Sequence, residues 1–459
     1  MFRTFMEQSS DLPENWGQLT PEEKRAHRLN RLLDTSDIKF VSAEAEKAYK
    51  MRVQRSIDAY NLKEPDRVPV NLPVGNLPLT LHGINMRTAM YDMEKAAEAA
   101  RAFNEKYSEE LETYVMPPLM ASGKVLELLD YKIYAWPGHG IPENATGWQF
   151  IEGEYMTEDE YDDLIRDPSD FWIRKYLPRV FGVLEPLRMF QPFTNITENV
   201  HVGQFMPLAM PPAQESLKKL LQIGEEFQKM TGIIMKFMGE GRAHGYPGSM
   251  MGGFCKAPFD TIGDTLRGTT NIMKDMFRRP DKLLKALDVV ADITINTVLT
   301  SPAASTGLIV TYPLHKGADG WMSKKQFDTF YWPSLKKVMD AFIEEGLIQN
   351  MFAEGSYNTR LEYINEFPKG SVCWYFDRTD MEQAKKVLGK KCCLQGNIPS
   401  SMLVTGQPKE VKEYCKWLIE TCGRGGGYIL SAGAVSDNPK LENIRAVMEA
   451  VKEYGFYKK

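Results

Sequence analysis

Residues 350–436 and the segment that follows constrain the fold most, because one pattern occurs there three times: a short apolar run, a polar glycine-bearing loop, and a helical pattern. Each predicted helix has a start signal and a stop signal: Thr379 with Glu382 and Gly389, Pro408 and Gly423, Pro439 and Gly455. Strands that alternate with helices in this way are parallel and joined by right-handed crossovers. The polar loops at the carboxyl ends of such strands carry the chemistry.

Composition argues against several classes of protein. The chain has 459 residues and a net charge of −5, without a basic block, which argues against a nucleic-acid partner. It contains no run of 18 apolar residues and no signal-peptide core near its N-terminus. Six cysteines are too few for a disulfide framework in a chain of this length. We therefore expect a reduced, cytoplasmic protein with no membrane partner.

Two segments near the C-terminus resemble a known superfamily. LQGNIPSSMLVTGQPKEV and GGGYILSAGAVSDNPKLENI are similar to the closing section of the uroporphyrinogen decarboxylase superfamily. The resemblance implies an α/β fold, a single (β/α)8 TIM barrel. The superfamily contains haem-pathway decarboxylases and corrinoid-dependent methyltransferases, which act on methylated thiols, methanol, methyl halides or aryl methyl ethers.

The chain divides into two predicted parts. Residues 1–65 are polar and rich in charge, and their pattern predicts an N-terminal helical extension. We expect this extension to pack outside the barrel, in a position to contact a second subunit. The barrel then occupies residues 66–459, with its first strand in residues 65–75 and a second strand beginning near residue 114.

The chain departs from both groups of the superfamily. The decarboxylases follow their first strand with an RQAGR motif that binds substrate carboxylates, where this chain has VGNLPLTLHGINMR, and their key aspartate falls on MASGK. Thiol-directed methyltransferases hold zinc with one histidine and two cysteines, which fall on Phe352, Glu354 and Ala434. The classical zinc thiolate site therefore cannot be assembled. Zinc bound by Glu354 together with His315 stays open.

Three polar residues follow predicted barrel strands and are our catalytic candidates. His315 lies in the loop HKGADGWMS, Glu354 in MFAEGSYN, and Asp377 in CWYFDRTD. We predict that the three side chains converge at the barrel mouth. Glu354 would donate a proton, or bind a metal together with His315 or Asp377. Asp377 and Asp380 are alternatives for the roles of catalytic acid and helix cap.

Other residues near the predicted mouth are candidates for substrate binding. Side chains alternate along a barrel strand, so one or two of the rings that precede Asp377 should face the pocket. The substrate-binding candidates are Asp319, Trp321, Trp374, Phe376, Asn397 and His139. Residues 242–268 are rich in glycine and methionine, which suits either a pocket wall or lid, or an irregular connection.

Three functions remain open. We favour the methyl-donor-binding component of a corrinoid-dependent methyltransferase, because an aryl methyl ether needs its oxygen protonated or polarised rather than a thiolate activated. The alternatives are a decarboxylase of the uroporphyrinogen type and a non-catalytic barrel that binds a partner. The chain has no DxHxxG-type motif, so its corrinoid would be carried by a partner protein. The resemblance also implies a homodimer.

Overall fold

The computed structural model describes residues 12–117, 122–248, 250–434 and 438–457. These residues form one seven-stranded sheet of β1 (Val70–Asn71), β2 (Met251–Phe254), β3 (Ile309–Leu314), β4 (Ile348–Ala353), β5 (Val372–Phe376), β6 (Cys393–Gln395) and β7 (Tyr428–Ser431). The order is β1-β7-β6-β5-β4-β3-β2, and every neighbouring pair is parallel. The last strand pairs with the first, as a sheet that curls into a barrel requires. The predicted α/β barrel-type fold is confirmed.

One side of the barrel differs from the expected pattern. The second strand predicted near residue 114 would lie between β1 and β2, but residues 113–117 form no strand, and residues 118–121 lie outside the described part. A separate small sheet follows in the chain, formed by Tyr134–Pro137, Gly140–Ile141 and Gln149–Phe150.

Helices surround the sheet. Ten α-helices of eight residues or more occur in the described residues: α1 (Pro21–Arg31), α2 (Ala43–Tyr60), α3 (Met93–Leu111), α4 (Pro211–Ala243), α5 (Thr269–Arg278), α6 (Pro280–Leu299), α7 (Trp332–Glu344), α8 (Met381–Leu388), α9 (Pro408–Leu418) and α10 (Leu441–Tyr454). Shorter helical segments include Leu77–Leu81, Met86–Tyr91, Gly123–Leu129, Tyr161–Arg166, Thr261–Arg267, Phe327–Tyr331 and Ser400–Thr405. None of the described helices combines the length and the apolar composition that a membrane span requires.

Local start and stop signals account for most helix ends. Pro408 occupies the first turn of α9, and Gly455 caps the C-terminus of α10, as predicted. The cap predicted at Thr379 is wrong, because Asp380 accepts the first free N–H groups of α8. The hydroxyl of Thr379 instead accepts a hydrogen bond from the backbone N–H of Tyr357, at 3.0 Å.

Strand residues alternate between two environments, as the pleat of a strand requires. On β5, Trp374 and Phe376 are fully buried in the main core, which contains the apolar faces of the surrounding helices. Tyr375 lies between them and belongs to the opposite face, toward the barrel lumen. The adjacent cysteines Cys392 and Cys393 also lie in two different core clusters, so they cannot share a metal ion.

The N-terminal helices close the amino end of the barrel. Leu29 of α1 and Val53 of α2 pack against Leu308 and Ile348, which lie at the amino ends of β3 and β4. The guanidinium of Arg28 donates to the backbone carbonyls of Ala304 and Gly307, at 2.6 and 2.7 Å. This segment therefore forms the floor of the lumen, because its apolar face covers strand ends that would otherwise be exposed to water.

Candidate active site

The three predicted catalytic residues lie at the carboxyl ends of adjacent strands. His315 follows β3, Glu354 follows β4, and Asp377 follows β5. His315 Nε2 lies 3.6 Å from Glu354 Oε1. The backbone N–H of Gly355 donates to Asp377 Oδ2 at 3.0 Å, which holds this carboxylate beside the loop that carries Glu354. The structure therefore brings the three side chains to one part of the mouth.

The carboxylate of Asp264 orients the ring of His315 from the side opposite Glu354. Asp264 lies in the helical segment Thr261–Arg267, and its Oδ2 is 2.5 Å from His315 Nδ1. Lys256 donates to the same oxygen at 3.0 Å, and Lys316 donates to Oδ1. The ring of His315 thus has Asp264 on one nitrogen and faces Glu354 with the other. The gap of 3.6 Å between His315 Nε2 and Glu354 is longer than a hydrogen bond, so a proton passes between the two groups after a small approach or through one water molecule.

Asp260 fixes the loop that carries the histidine. Its carboxylate is fully buried and accepts hydrogen bonds from the backbone N–H groups of His315 and Lys316, at 3.0 and 2.9 Å. The hydroxyl of Tyr331 donates to the same carboxylate at 2.7 Å. Because the backbone at His315 is held in this way, the imidazole is positioned independently of any ligand.

Burial and neighbouring charges shift the pKa values of these groups. Burial raises the pKa of Glu354, and so do the carboxylates of Asp260 and Asp377, although the imidazole of His315 opposes them. Burial lowers the pKa of His315, but the hydrogen bond to Asp264 and the surrounding carboxylates raise it above its ordinary value. Burial favours protonation of Asp264, yet His315 and the lysines hold the pKa of that carboxyl well below its usual range. The raised pKa of Glu354 suits this carboxyl group to carry a proton at the mouth.

The aromatic residues at the mouth are different from those that the sequence indicated. Trp374 and Phe376 were predicted to contact substrate, but both are fully buried in the core against helices. The lumen-facing rings are Phe352 and Tyr375, which stack with centroids 4.5 Å apart. Burial raises the pKa of Tyr375 to about 12, and the carboxylates of Asp377 and Glu354 act in the same direction. We therefore replace the first pair by Phe352 and Tyr375 as candidate substrate contacts.

The other substrate-binding candidates have mostly structural contacts. Asp319 accepts hydrogen bonds from the side chains of Ser356 and Thr359, at 2.9 and 2.6 Å, and so ties two loops together. The amide of Asn397 donates to the backbone carbonyls of Asp377 and Thr379, at 3.0 and 2.9 Å. The two bonds of Asn397 occupy the N–H groups of its amide, which a ligand would otherwise use as donors.

Trp321 and His139 occupy different surroundings. Trp321 is part-buried near the mouth, and the ammonium of Lys316 lies 4.8 Å from its ring centroid. His139 is exposed in the small sheet, where it stacks on Trp136 with the ring centroids 4.0 Å apart. The described contacts of His139 do not join it to Glu354, so the structure does not bring this residue into the site.

Sequence reasoning missed the two aspartates that hold His315. Asp260 and Asp264 lie four residues apart in APFDTIGDTLRG, the spacing that places two side chains on one helical face. That spacing was the available signal. Among the described residues of segment 242–268, the first two end α4, Met251–Phe254 form β2, and Thr261–Arg267 form this helical segment.

A zinc ion does not fit the described donors. The positions that hold zinc in thiol-directed relatives carry Phe352, Glu354 and Ala434 here. His315 Nδ1 is bound to Asp264, so His315 offers only its Nε2, beside the carboxylates of Glu354 and Asp377. Within the described ranges, no group of three histidine, cysteine or acidic side chains has a metal-binding arrangement. We therefore derive no step through a metal ion.

Comparisons with known proteins give the following matches. Residues 206–454 match the model of the uroporphyrinogen decarboxylase (URO-D) family. The uroporphyrinogen decarboxylase of Actinobacillus succinogenes is 23% identical over 278 residues, which cover 57% of this chain and 71% of that protein. The enzymes of Pseudoalteromonas translucida and Mannheimia succiniciproducens are each 23% identical, over 249 and 212 residues. Those matches cover 50% and 43% of this chain, and 64% and 56% of the two relatives, less than two thirds of their length.

A solved structure is also similar. A methyltransferase from Methanosarcina mazei superposes with a TM-score of 0.55 at 17% identity, over 88% of this chain and 98% of that one. At this level of identity the similarity shows a shared fold. It does not by itself assign an activity.

Proposed function

The chain belongs to the uroporphyrinogen decarboxylase (URO-D) family, and on that premise we propose that it transfers a methyl group from an aryl methyl ether to a corrinoid carried by a separate protein. One observation carries the proposal: the contacts from Asp264 through His315 to Glu354, which end in a carboxyl group of raised pKa at the mouth. An ether is a poor methyl donor until its oxygen is protonated or polarised.

The residues at the mouth have a simple task in this reaction. Glu354, in its protonated form, donates its proton to the ether oxygen as the bond from oxygen to the methyl carbon breaks, so the product leaves as a phenol rather than a phenolate. The corrinoid, when its protein is docked over the mouth, supplies the electron pair that accepts the methyl group. His315 lies beside the ionised Glu354 and relays a proton back to it from solvent, while Asp264 keeps the imidazole oriented.

Charge at the mouth favours a neutral ether over a substrate with several carboxylates. Lys256 and Lys316 are both bound to Asp264, so neither is free to hold a substrate carboxylate. Arg378 lies 3.7 Å from Asp377, and its side chain is 82% exposed, pointing into water. A polycarboxylated substrate would therefore lack the paired guanidinium groups that its binding requires.

The proposal is tested with purified protein, a corrinoid protein, a low-potential reductant and a panel of methoxylated aromatic compounds. We expect release of the corresponding phenol, dependent on both the corrinoid protein and the reductant. Release of CO2 from an acid substrate, with no phenol from any ether, would favour a decarboxylase instead. If neither phenol nor CO2 is released, a non-catalytic barrel is favoured.

The pH dependence of phenol release checks the identity of the acid. We expect the rate to fall as pH rises through the raised pKa of Glu354, because only its protonated form donates. The charge of His315 lowers the pKa of Glu354, so in the His315→Gln variant the falling limb should move to higher pH. Single-turnover rates measured across pH give the falling limb of the wild-type protein and that of the variant. If the limb of the variant is unchanged, or lies at lower pH, the assignment of Glu354 as the acid is contradicted.

A further inference from the structure

Helix α4 carries uncharged residues on the side that faces water. The helix contacts the rest of the protein through its other side, where Ile223, Phe237 and Gly241 are buried. A surface helix ordinarily has the reverse pattern, with its charged residues toward water. The exposed residues recur every three or four positions and form one row, about 33 Å long. The row consists of Leu217, Leu221, Gly224, Gln228, Gly232, Met235 and Gly239.

The exposed apolar surface on and beside this row is large. Within the row, the side chains of Leu221 and Met235 are 72% and 61% exposed. The segment Asn199–Ala209 leads directly into α4, and it and the first residue after it add Val200, Val202, Phe205, Met206, Leu208 and Met210, all of them exposed. Together these side chains expose about 1,000 Å², whereas the largest apolar patch of an ordinary monomer is roughly 300–600 Å². Such a surface marks a site of association.

The row is symmetric about its central residue, Gln228. Its other members form three pairs at equal distances from that residue: Leu217 with Gly239, Leu221 with Met235, and Gly224 with Gly232. A two-fold axis at Gln228 would therefore bring each residue of one helix against the other member of its pair in a second, antiparallel copy.

The pairs fit one another in size. A leucine lies opposite a glycine at each end of the row, and two glycines near the centre let the helix backbones approach closely. A Cβ atom built on Gly224, Gly232 or Gly239 has no neighbour within 4 Å among the described residues of one chain. The space over these glycines is therefore open to the side chains of a second copy.

We propose that the protein forms a two-fold dimer through α4, with the two helices packed antiparallel and centred on Gln228. Burial of the apolar row drives the association. At the axis, each Gln228 amide can donate to and accept from the other. The antiparallel arrangement also places the segment Asn199–Ala209 of one subunit beside the carboxyl end of the other subunit's α4.

A second copy fits this surface better than a different protein does. The row is complementary to itself, and its area with the adjoining segment reaches the about 800 Å² that one subunit contributes to a standard interface. The dimer is independent of the function proposed above, because His315, Glu354 and Asp377 all lie outside α4.

Sedimentation equilibrium of the full-length chain tests the oligomeric state. We expect the wild-type protein to be a dimer at micromolar concentration. Leu221→Glu should raise the dissociation constant of the dimer about 100-fold or more, because each dimer would then bury two carboxylates against apolar side chains. The matched control is Gln222→Glu, which adds the same charge to an exposed position of α4 outside the row and should change the constant by about twofold or less.

Cross-linking locates the axis. In Gln228→Cys, a short bismaleimide cross-linker should join the two subunits, because residue 228 meets its own copy. Glu215→Cys is the matched control: it is also exposed on α4, but its two copies would lie about 39 Å apart along the helix pair. Wild-type protein gives the background, since five native cysteines are buried and Cys255 is half-buried.

Four results would overturn the proposal. They are a wild-type protein that stays monomeric, a dimer that Leu221→Glu does not weaken, equal cross-linking of the two cysteine variants, and a monomer that co-sediments with phosphatidylcholine vesicles. The last result would assign the surface to a lipid bilayer instead.

A second variant keeps the test decisive if Leu221→Glu does not fold. Gly232→Leu adds a side chain where a single chain leaves open space, and leucine is the better helix former, so the monomer should melt no lower than that of the wild type. The dimer should weaken about tenfold or more, because the helices can no longer approach closely. An unchanged dissociation constant in Gly232→Leu would then overturn the proposal.

Discussion

Glu354→Gln is expected to lower kcat for phenol release by about 10²- to 10⁴-fold, the usual contribution of a positioned general acid. The amide has nearly the same shape and can still donate a hydrogen bond, but it cannot give up a proton to the leaving oxygen. Substrate binding should change little, because the effect is confined to the transition state. Single-turnover phenol release at saturating corrinoid protein measures the change.

Two comparisons make this result specific. Glu413→Gln alters an exposed glutamate whose only described ion pair is with Lys409, at 3.9 Å, so it should leave the rate unchanged. Asp377→Asn alters the other acid of the mouth but keeps an oxygen to accept from Gly355. A near-normal rate in Glu354→Gln together with a large loss in Asp377→Asn would transfer the role of proton donor to Asp377.

Asp275→Asn is expected to destabilise the fold by about 3–5 kcal/mol, the typical cost of breaking a buried ion pair. Asp275 and Arg267 are only 1% and 2% exposed in their side chains. Arg267 Nε donates to Asp275 Oδ2 at 2.6 Å, and the hydroxyl of Tyr161 donates to the same oxygen at 2.8 Å. Loss of the carboxylate charge leaves the buried guanidinium with Glu154 as its remaining charged partner. Urea unfolding of wild type and variant measures the difference.

The matched control is an exposed ion pair. Lys409 and Glu413 lie 3.9 Å apart, with side chains 87% and 67% exposed, so Glu413→Gln should change the free energy of unfolding by about 1 kcal/mol or less. The m-value should be the same in all three proteins if the folded state is retained. A loss in Asp275→Asn no larger than the control would show that the network contributes little to stability.

The sequence by itself determined the class of fold, most helix ends and the location of the mouth. Pro408 and Gly455 act through bonds within a few residues, so their effect can be read without knowing the rest of the structure. The polar residues His315, Glu354 and Asp377 could be placed together because the carboxyl ends of neighbouring parallel strands always meet. These inferences needed only local bonding and strand order.

Only the tertiary structure decided which side chains face the lumen and what holds His315. Alternation along β5 divides its residues into two sets but does not say which set faces the lumen. The helices outside the barrel pack against Trp374, and Tyr375 therefore faces the lumen. The contact between Asp264 and His315 joins residues 51 positions apart, and no local pattern specifies such a pair. The floor formed by α1 and α2 depends in the same way on packing between distant segments. Caps and turns depend on neighbouring residues, whereas these contacts exist only after the sheet has curled and its register is set.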